Sequence, residues 1–208
     1  HTHDIPSFVD AAAERPDVPN WYLEQGVDAV AYSGGKCLRG PQASGLVLGR
    51  KKLLQTAFAN GAPHHSLGRP MKAGKEEIMG MLAAVEAWGT RDHKAEWQVW
   101  LSYLDLIATR VESIGGVTTR VEEPRGLSNH APALRISWDP SALHITGEEV
   151  AEDFARKTPR IAVGSGGEDG LTSINITPNQ MQPGNAEVVA ERVYQILSEE
   201  RSPKSTEL

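Results

Sequence analysis

The sequence has little of several features that would assign it to a class at once. It contains a single cysteine, Cys37, in 208 residues, which excludes an internal disulfide framework and indicates a reducing compartment, by default the cytoplasm. No apolar run approaches the roughly 18 residues that a membrane-spanning helix needs. Lysine and arginine number 21 against 27 aspartate and glutamate residues, and this acidic balance makes a nucleic-acid partner unexpected.

What the sequence does contain is the composition of an ordinary globular protein, 39% hydrophobic and 23% charged. Ile5–Val9 and Asp28–Tyr32 are typical of buried strands on either side of a short helix that Asn20 caps. This unit predicts a right-handed crossover between parallel strands. Apolar residues then recur at helical spacing from Lys75 to about Ser113. A break at residues 89–93 predicts two helices or one bent helix there.

The last third of the chain alternates short strands with helices. Thr146 and Glu149 occupy the positions of a capping box at the start of one helix, and a final helix is predicted from Ala186 to about Glu199. The glycine-rich stretch 164–167 is followed by no Gly-Lys-Ser/Thr, so we interpret it as a turn. A third strand of the first part is predicted at 44–48, and strands of the second half are predicted at 117–121, 133–138, 161–163 and 171–176. This part is expected to form an α+β module with helices on one face of an antiparallel sheet.

A carboxylate and a lysine follow the two parallel strands of the first part. Asp10 ends the first strand, and Lys36 lies just after the second, in Ser33-Gly34-Gly35-Lys36. Neighbouring strands lie about 4.8 Å apart and parallel strands end at one edge of a sheet, so both side chains can reach one small planar ring. Pyridoxal phosphate needs a lysine amine for the Schiff base and a carboxylate facing the pyridinium nitrogen. Ser33 is placed to offer its hydroxyl to the phosphate, and Gly34 and Gly35 allow close backbone approach.

Spacing alone leaves other interpretations open. Asp10 can instead cap a turn or helix, and Lys36 can be a solvated loop lysine. Ser33 and Lys36 also have the Ser-x-x-Lys spacing of a serine nucleophile with a lysine base, but no Ser-Asp-Asn or Lys-Thr-Gly motif accompanies them. The adjacent histidines His64 and His65 point in different directions, which makes a poor metal chelate, although either could transfer protons.

Four segments resemble the SelA-like group of fold-type I pyridoxal-phosphate enzymes, which includes bacterial seryl-tRNA selenium transferase and D-glucosaminate-6-phosphate ammonia-lyase. The resemblance follows nearly the whole chain in order. It implies that Lys36 is the Schiff-base lysine, Asp10 the pyridinium partner and Ser33 a phosphate ligand, with Ala12 completing the cofactor-binding set. The segments are Val9–Glu14, Ser33–Gln42, Gly68–Ile78 and Met181–Gly184.

The resemblance also implies an α/β fold with a particular domain organisation. Residues 1–74 are expected to be the C-terminal part of the cofactor-binding large domain, 75–113 an interdomain helical segment, 114–200 a small α+β domain and 201–208 a disordered tail. The family's phosphate loop and ring-stacking residue come from its N-terminal half, which has no counterpart here. We therefore expect a C-terminal fragment with an incomplete cofactor site, from an enzyme that forms a homodimer or higher oligomer.

The expected function is a pyridoxal-phosphate-dependent lyase that eliminates ammonia from a small amino acid or amino-sugar acid. Arg135 resembles the arginine that grips a substrate carboxylate in fold-type I enzymes, although an exposed strand face would also accommodate it. Arg39, Arg69 and Lys72 are expected to border the cleft and bind a substrate phosphate or carboxylate. Two alternatives stay open: selenium transfer on seryl-tRNA, and an inactive or dimerising fragment.

Overall fold

The computed structural model describes residues 5–128 and 130–201, with no side chains described at 200 and 201. The predicted tail beyond Arg201 lies outside the described residues. None of the helices in these ranges combines the length and the apolar character that crossing a bilayer requires.

In chain order the elements are β1 (Phe8–Asp10), α1 (Trp21–Glu24), β2 (Ala29–Ser33), β3 (Gly45–Gly49), α2 (Lys51–Ala59), a 3-10 helix (Arg69–Met71), α3 (Lys75–Thr90), α4 (His93–Val111), β4 (Val117–Glu122), β5 (Ala133–Trp138), α5 (Pro140–Leu143), α6 (Gly147–Arg156), β6 (Gly164–Glu168), β7 (Leu171–Ile176) and α7 (Asn185–Arg201).

The chain divides into two compact units. The first unit comprises the residues up to Arg91 together with Arg125–His130, and the second comprises Asp92–Pro124 and the chain from Ala131 onward. The chain first passes from one unit to the other between α3 and α4, within the predicted helix break. The roles expected for 1–74, 75–113 and 114–200 stay predictions.

The first unit is built on a sheet with the strand order β1-β2-β3. β1 and β2 are parallel, with Asp10 opposite Ala31, whereas β3 runs antiparallel to β2. The predicted parallel pairing is confirmed, and so is the helix cap between the strands, because the Asn20 side chain accepts a hydrogen bond from the Leu23 N–H. Side chains from the sheet, the turn after β2 and helix α3 form the core of this unit: Ala11, Val30, Tyr32, Leu38, Met81 and Ala84.

The second unit contains an antiparallel sheet in the order β4-β5-β7-β6. Leu134, Ile136 and Trp138 of β5 alternate with more exposed polar residues and are fully buried. They join apolar side chains of α4, α6 and α7 in one continuous core. Helices on one face of an antiparallel sheet are the arrangement that the alternating pattern predicted.

One local prediction in this sheet is wrong. Residues 161–163 are not a strand; the strand is Gly164–Glu168, which includes the glycine-rich stretch 164–167 for which the sequence predicts a turn. Its glycines show no side-chain pattern, but their backbone groups pair with β7. Asp169 and Gly170, with φ of 54° and 80°, make the reversal that joins the two strands. By contrast, the capping box of Thr146 and Glu149 is confirmed in full.

Candidate cofactor site and substrate cavity

The candidate cofactor residues lie where β1 and β2 end. Asp10 is the last residue of β1, and Ser33 is the last of its parallel neighbour β2. The Ala12 N–H donates to Asp10 Oδ1 at 3.0 Å, and the Ser33 N–H donates to the Ala12 carbonyl at 3.3 Å. These two hydrogen bonds tie the segment after β1 to the end of β2, so Asp10, Ala12 and Ser33 share one edge of the sheet.

Lys36 follows in a tight turn that the chain's own backbone closes. The Arg39 N–H donates to the Lys36 carbonyl at 2.9 Å, and the Gly40 N–H donates to the Gly34 carbonyl at 2.7 Å. Leu38 anchors the turn in the core with 1% of its surface exposed. The Lys36 side chain itself is exposed and, in the part of the chain that the structure describes, makes no ion pair. Its amine is therefore accessible for reaction.

Packing inside the protein explains why Gly34 and Gly35 are glycines, in addition to the expected close approach of a ligand. A Cβ on Gly34 would collide with Ser44 Oγ, and a Cβ on Gly35 would collide with the Gln42 side chain. The space beside both glycines is thus filled by the segment that leads into β3. Close approach of the backbone is required here by the turn itself.

A cluster of cationic and aromatic side chains adjoins the other end of the turn. The Arg91 Nη1 donates to the Cys37 carbonyl at 3.3 Å, and its guanidinium carbon lies 5.4 Å from the centre of the Trp88 ring. The Arg15 guanidinium lies 5.5 Å from the same ring. Burial raises the pKa of the Cys37 thiol, which does not favour a redox role. Sequence reasoning missed Arg91 and Trp88, because no motif links them to Lys36.

Two tyrosines near this edge have neutral hydroxyl groups that take part in hydrogen bonds. The Tyr22 hydroxyl donates to Glu14 Oε2 at 2.6 Å, and this bond raises the pKa of Tyr22 to about 12. The Asn20 side-chain amide donates to the Tyr32 hydroxyl at 2.7 Å, while burial raises the pKa of Tyr32. Neither phenol is therefore a base at neutral pH.

A cavity of about 220 Å³ lies on the polar face of the second unit's sheet. Arg135 and Arg120 sit directly opposite each other on β5 and β4, and both donate to Glu122 Oε1, at 2.8 and 2.6 Å. The Arg120 bond is the largest of the influences that hold the pKa of Glu122 below its usual range. Ser173 is buried beside them, and its Oγ has no hydrogen-bond partner in the described part of the chain. Lining residues include Thr118, Arg120, Arg135, Ser137, Glu168 and Ser173.

Of the remaining candidates, Arg69 and Lys72 make no hydrogen bond or ion pair with the Asp10–Lys36 edge in the described part of the chain, whereas Arg39 bonds to it through its backbone N–H. Arg39 belongs to the Lys36 turn and has a left-handed φ of 58°. Arg69 lies on the 3-10 helix, and Lys72 follows it with an exposed side chain. The His64 ring packs edge-on against Phe58, with Nδ1 3.1 Å from the Phe58 carbonyl.

Metal chemistry has no candidate in these ranges: no three His, Cys, Asp or Glu side chains among the described residues are grouped so that they could hold an ion.

Known proteins share this architecture. A 5'-C-glycyluridine monooxygenase-decarboxylase from a Streptomyces species is 29% identical over 94% of this chain and 47% of its own length. The D-glucosaminate-6-phosphate ammonia lyase of Salmonella typhimurium is 34% identical over 70% of this chain and 37% of its own length. A solved D-glucosaminate-6-phosphate ammonia-lyase superposes with a TM-score of 0.73 at 24% identity, covering 97% of this chain and 51% of that one. The likeness confirms the expected α/β fold of part of a fold-type I enzyme.

This chain spans about half the length, or less, of the relatives that it matches. Within that span the sequence matches the L-seryl-tRNA selenium transferase (SelA) family over residues 11–139, a stretch that includes the Lys36 turn, α3, α4 and the β4–β5 pair. The chain therefore belongs to the SelA family.

Proposed function

We propose that the chain is the C-terminal half of a pyridoxal-phosphate-dependent lyase that eliminates ammonia from a small amino acid or amino-sugar acid. The observation that carries this proposal is the parallel pairing of β1 with β2, which puts Asp10 and the Lys36 turn at one sheet edge. A relative that is 34% identical bears the name of an ammonia lyase, which supports elimination as the reaction.

The residues present fit the cofactor. Lys36 offers an exposed primary amine, and Asp10 offers a carboxylate whose Oδ1 is oriented by the Ala12 N–H. Ser33, half-buried at the end of β2, contributes a hydroxyl. An amine, a carboxylate and a hydroxyl are the groups that would meet the aldehyde, the ring nitrogen and the phosphate of pyridoxal phosphate.

Each side chain then has a defined task. Pyridoxal phosphate, when bound, supplies an electron sink for the substrate's Cα–H bond. Lys36 would hold the cofactor through Nζ and, once released, would take the Cα proton on the same atom. Asp10 would keep the ring nitrogen protonated, because a nearby carboxylate favours the charged form. Ser33 would donate its hydroxyl to the phosphate, with Ala12 holding the backbone between them.

Substrate binding is proposed for four cationic residues. Arg135 would take the substrate carboxylate in place of Glu122 and Glu168, whose carboxylates its guanidinium meets at 2.8 and 3.8 Å, and the adjoining cavity supports this assignment. Arg39, Arg69 and Lys72 would serve a phosphate or second carboxylate. The whole enzyme is proposed to be a cytoplasmic homodimer or higher homo-oligomer.

Selenium transfer on seryl-tRNA is the second candidate, and membership of the SelA family is the observation that favours it. It begins with the same proton removal by Lys36. The acidic net charge of -6 favours the small-molecule substrate instead. An inactive or dimerising fragment is the third possibility, because the chain spans about half the length, or less, of the relatives that it matches.

The test is chemical trapping of the lysine. The chain is incubated with pyridoxal phosphate, reduced with borohydride and digested, and the labelled peptide is identified by mass spectrometry. We expect the label on Lys36, its loss in Lys36→Ala and its retention in Lys94→Ala, a matched exposed lysine on α4. Label spread evenly over surface lysines would overturn the cofactor assignment and favour the inactive fragment.

A second measurement separates the two active candidates. Unreduced protein, in a full-length enzyme that contains this chain and supplied with pyridoxal phosphate, is assayed for keto-acid release from amino-sugar acids and for gel-shift binding of seryl-tRNA. Keto-acid release supports the lyase. Binding of the tRNA without keto-acid release would replace the lyase with the transferase.

A further inference from the structure

We propose that Arg91 is a positioning residue for Lys36, acting through the carbonyl of Cys37. This inference rests on the proposed role of Lys36. It concerns the backbone of the turn, so it also has a test that does not depend on any cofactor.

The position of Arg91 is set by the end of α3. Arg91 caps this helix, and its backbone N–H donates to the Ala87 carbonyl at 3.0 Å. Its extended backbone, with φ of -69° and ψ of 132°, turns the chain away from the helix at that residue. The guanidinium lies half-buried beside Trp88, which itself packs against the core of the first unit. Arg91 is therefore a fixed donor rather than a solvated cation.

The atom that Arg91 contacts is next to the reactive residue. Cys37 lies between Lys36, whose side chain is exposed, and Leu38, whose side chain is buried. Arg91 holds the Cys37 carbonyl at 3.3 Å, and the Cys37 thiol donates to the Ala13 carbonyl at 3.4 Å. The hydrogen bond to Ala13 therefore connects Cys37 to the segment after Asp10, and the hydrogen bond from Arg91 connects Cys37 to the end of α3.

The direction of the Lys36 side chain depends on this backbone. Lys36 makes no ion pair among the described residues, so the backbone of the turn sets the direction in which its side chain leaves the chain. Within the turn, the Arg39 N–H donates to the Lys36 carbonyl and the Gly40 N–H to the Gly34 carbonyl, while the Gly34 N–H donates to the Ser44 carbonyl at 2.9 Å. Among the described residues, the Arg91 side chain donates to the Cys37 carbonyl of the turn, and the Gln42 Nε2 donates to the Gly35 carbonyl at 3.5 Å. Arg91 is the charged donor of the two, and charged donors form the stronger bonds.

The experiment compares Arg91→Ala, Arg91→Lys and the matched control Arg15→Ala. Arg15 also lies over Trp88 but pairs with Asp17. Hydrogen exchange is measured at the Arg39 and Gly40 amides, which close the turn. We expect Arg91→Ala to speed exchange at these amides by about tenfold, since one charged hydrogen bond changes a local opening equilibrium by that order. Arg91→Lys is expected to restore part of the protection, and Arg15→Ala to leave it unchanged.

A second readout follows the reactive amine. The rate of borohydride trapping at Lys36 is expected to fall several-fold in Arg91→Ala and to recover partly in Arg91→Lys, while the thermal midpoint of the chain stays within a few degrees of the wild type. Should Arg91→Ala fail to fold, the Arg91→Lys and Arg15→Ala pair decides the matter: equal exchange in both would overturn the proposal.

The two proposals fail in different ways. Trapping at no specific lysine in any variant would remove the proposed function, whereas the exchange data would still report on the turn. Specific trapping at Lys36 with the same rate and the same exchange in wild type and Arg91→Ala would leave the function standing and remove the role of Arg91.

Discussion

The two units of the chain are held together by different means. In the second unit, one continuous core buries large side chains on α4, β5, α6 and α7, and Trp138 and Phe154 have at most 1% of their surface exposed. In the first unit the core cluster is small, and large apolar side chains such as Phe8 and Phe58 are each 62% exposed. The proposed cofactor residues all lie in this first unit.

Buried polar side chains help to hold the first unit together: in the described part of the chain, Asn20 and Asp28 are buried there, and Ser173 is buried in the second unit. The buried carboxylate of Asp28 accepts hydrogen bonds from the Ser7 N–H and hydroxyl and pairs with Arg50 at 2.7 Å. Such contacts hold backbone in defined places without filling a large apolar volume. The comparison suggests that the second unit supplies stability and the first unit supplies positioned groups.

Truncation of the second core should have the largest effect. We expect Phe154→Ala to lower the free energy of unfolding by about 3–5 kcal/mol, through lost apolar burial and the cavity left behind. The matched change Phe58→Ala, at an exposed ring on α2, should cost much less. The loss of stability in each variant is measured by urea unfolding, with hydrogen exchange reporting on each unit separately. Equal losses for the two phenylalanines would contradict the difference between the units.

A methyl group added to the Lys36 turn should have an intermediate effect. In Gly34→Ala the new Cβ would collide with Ser44 Oγ and approach the Met81 sulfur to 3.0 Å, so we expect a loss of about 1–3 kcal/mol from overpacking. Gly89→Ala on α3 is the control, since nothing lies within 4 Å of its Cβ and alanine favours a helix by about 0.5–1 kcal/mol. If Gly34→Ala is as stable as Gly89→Ala by urea unfolding, the turn is looser than its packing indicates.

The smallest of the three effects is expected at Asp28, and it should depend on pH. The Ser7 N–H is the main cause that holds the pKa of Asp28 below its usual range. This stabilisation is fully present above the unfolded-state pKa of about 3.9 and is lost as the pH falls through the lower folded-state value. Asp28→Asn should therefore be less stable than wild type at neutral pH, with the difference shrinking in acid. A difference that stays constant across a pH series of urea titrations would exclude this origin.

Local signals explain which parts of the fold could be predicted. The capping box of Thr146 and Glu149 and the cap at Asn20 each involve residues about three apart, so the sequence contains the whole interaction. β6 was missed because Gly164–Glu168 has almost no side-chain pattern. Its best signal was the Asp169-Gly170 pair, which favours a tight hairpin. Helix α2 was also missed, since Lys51–Ala59 begins without a side-chain cap.

In the candidate site, too, some contacts could be predicted from the sequence and others could not. The Asp10–Lys36 edge could be predicted because parallel pairing alone brings two strand ends together. The contact of Arg91 with Cys37 spans 54 positions, and no periodicity indicates it. The meeting of Arg120 with Arg135 depends on the register of β4 and β5, which the connection at residues 123–132 sets without a recognisable turn motif.

That same connection has a consequence for how the chain can be taken apart. Between β4 and β5, residues 125–130 return to the first unit, where Ser128 forms a β-bridge with Glu14. The polypeptide therefore crosses between the units three times, near residues 91, 124 and 130. No single cut yields two intact pieces: a recombinant fragment starting at Asp92 would keep the β4–β5 connection but lose Glu14, with which Ser128 of that connection forms a bridge. Dissection of this protein calls for a shortened connection between β4 and β5 rather than simple truncation.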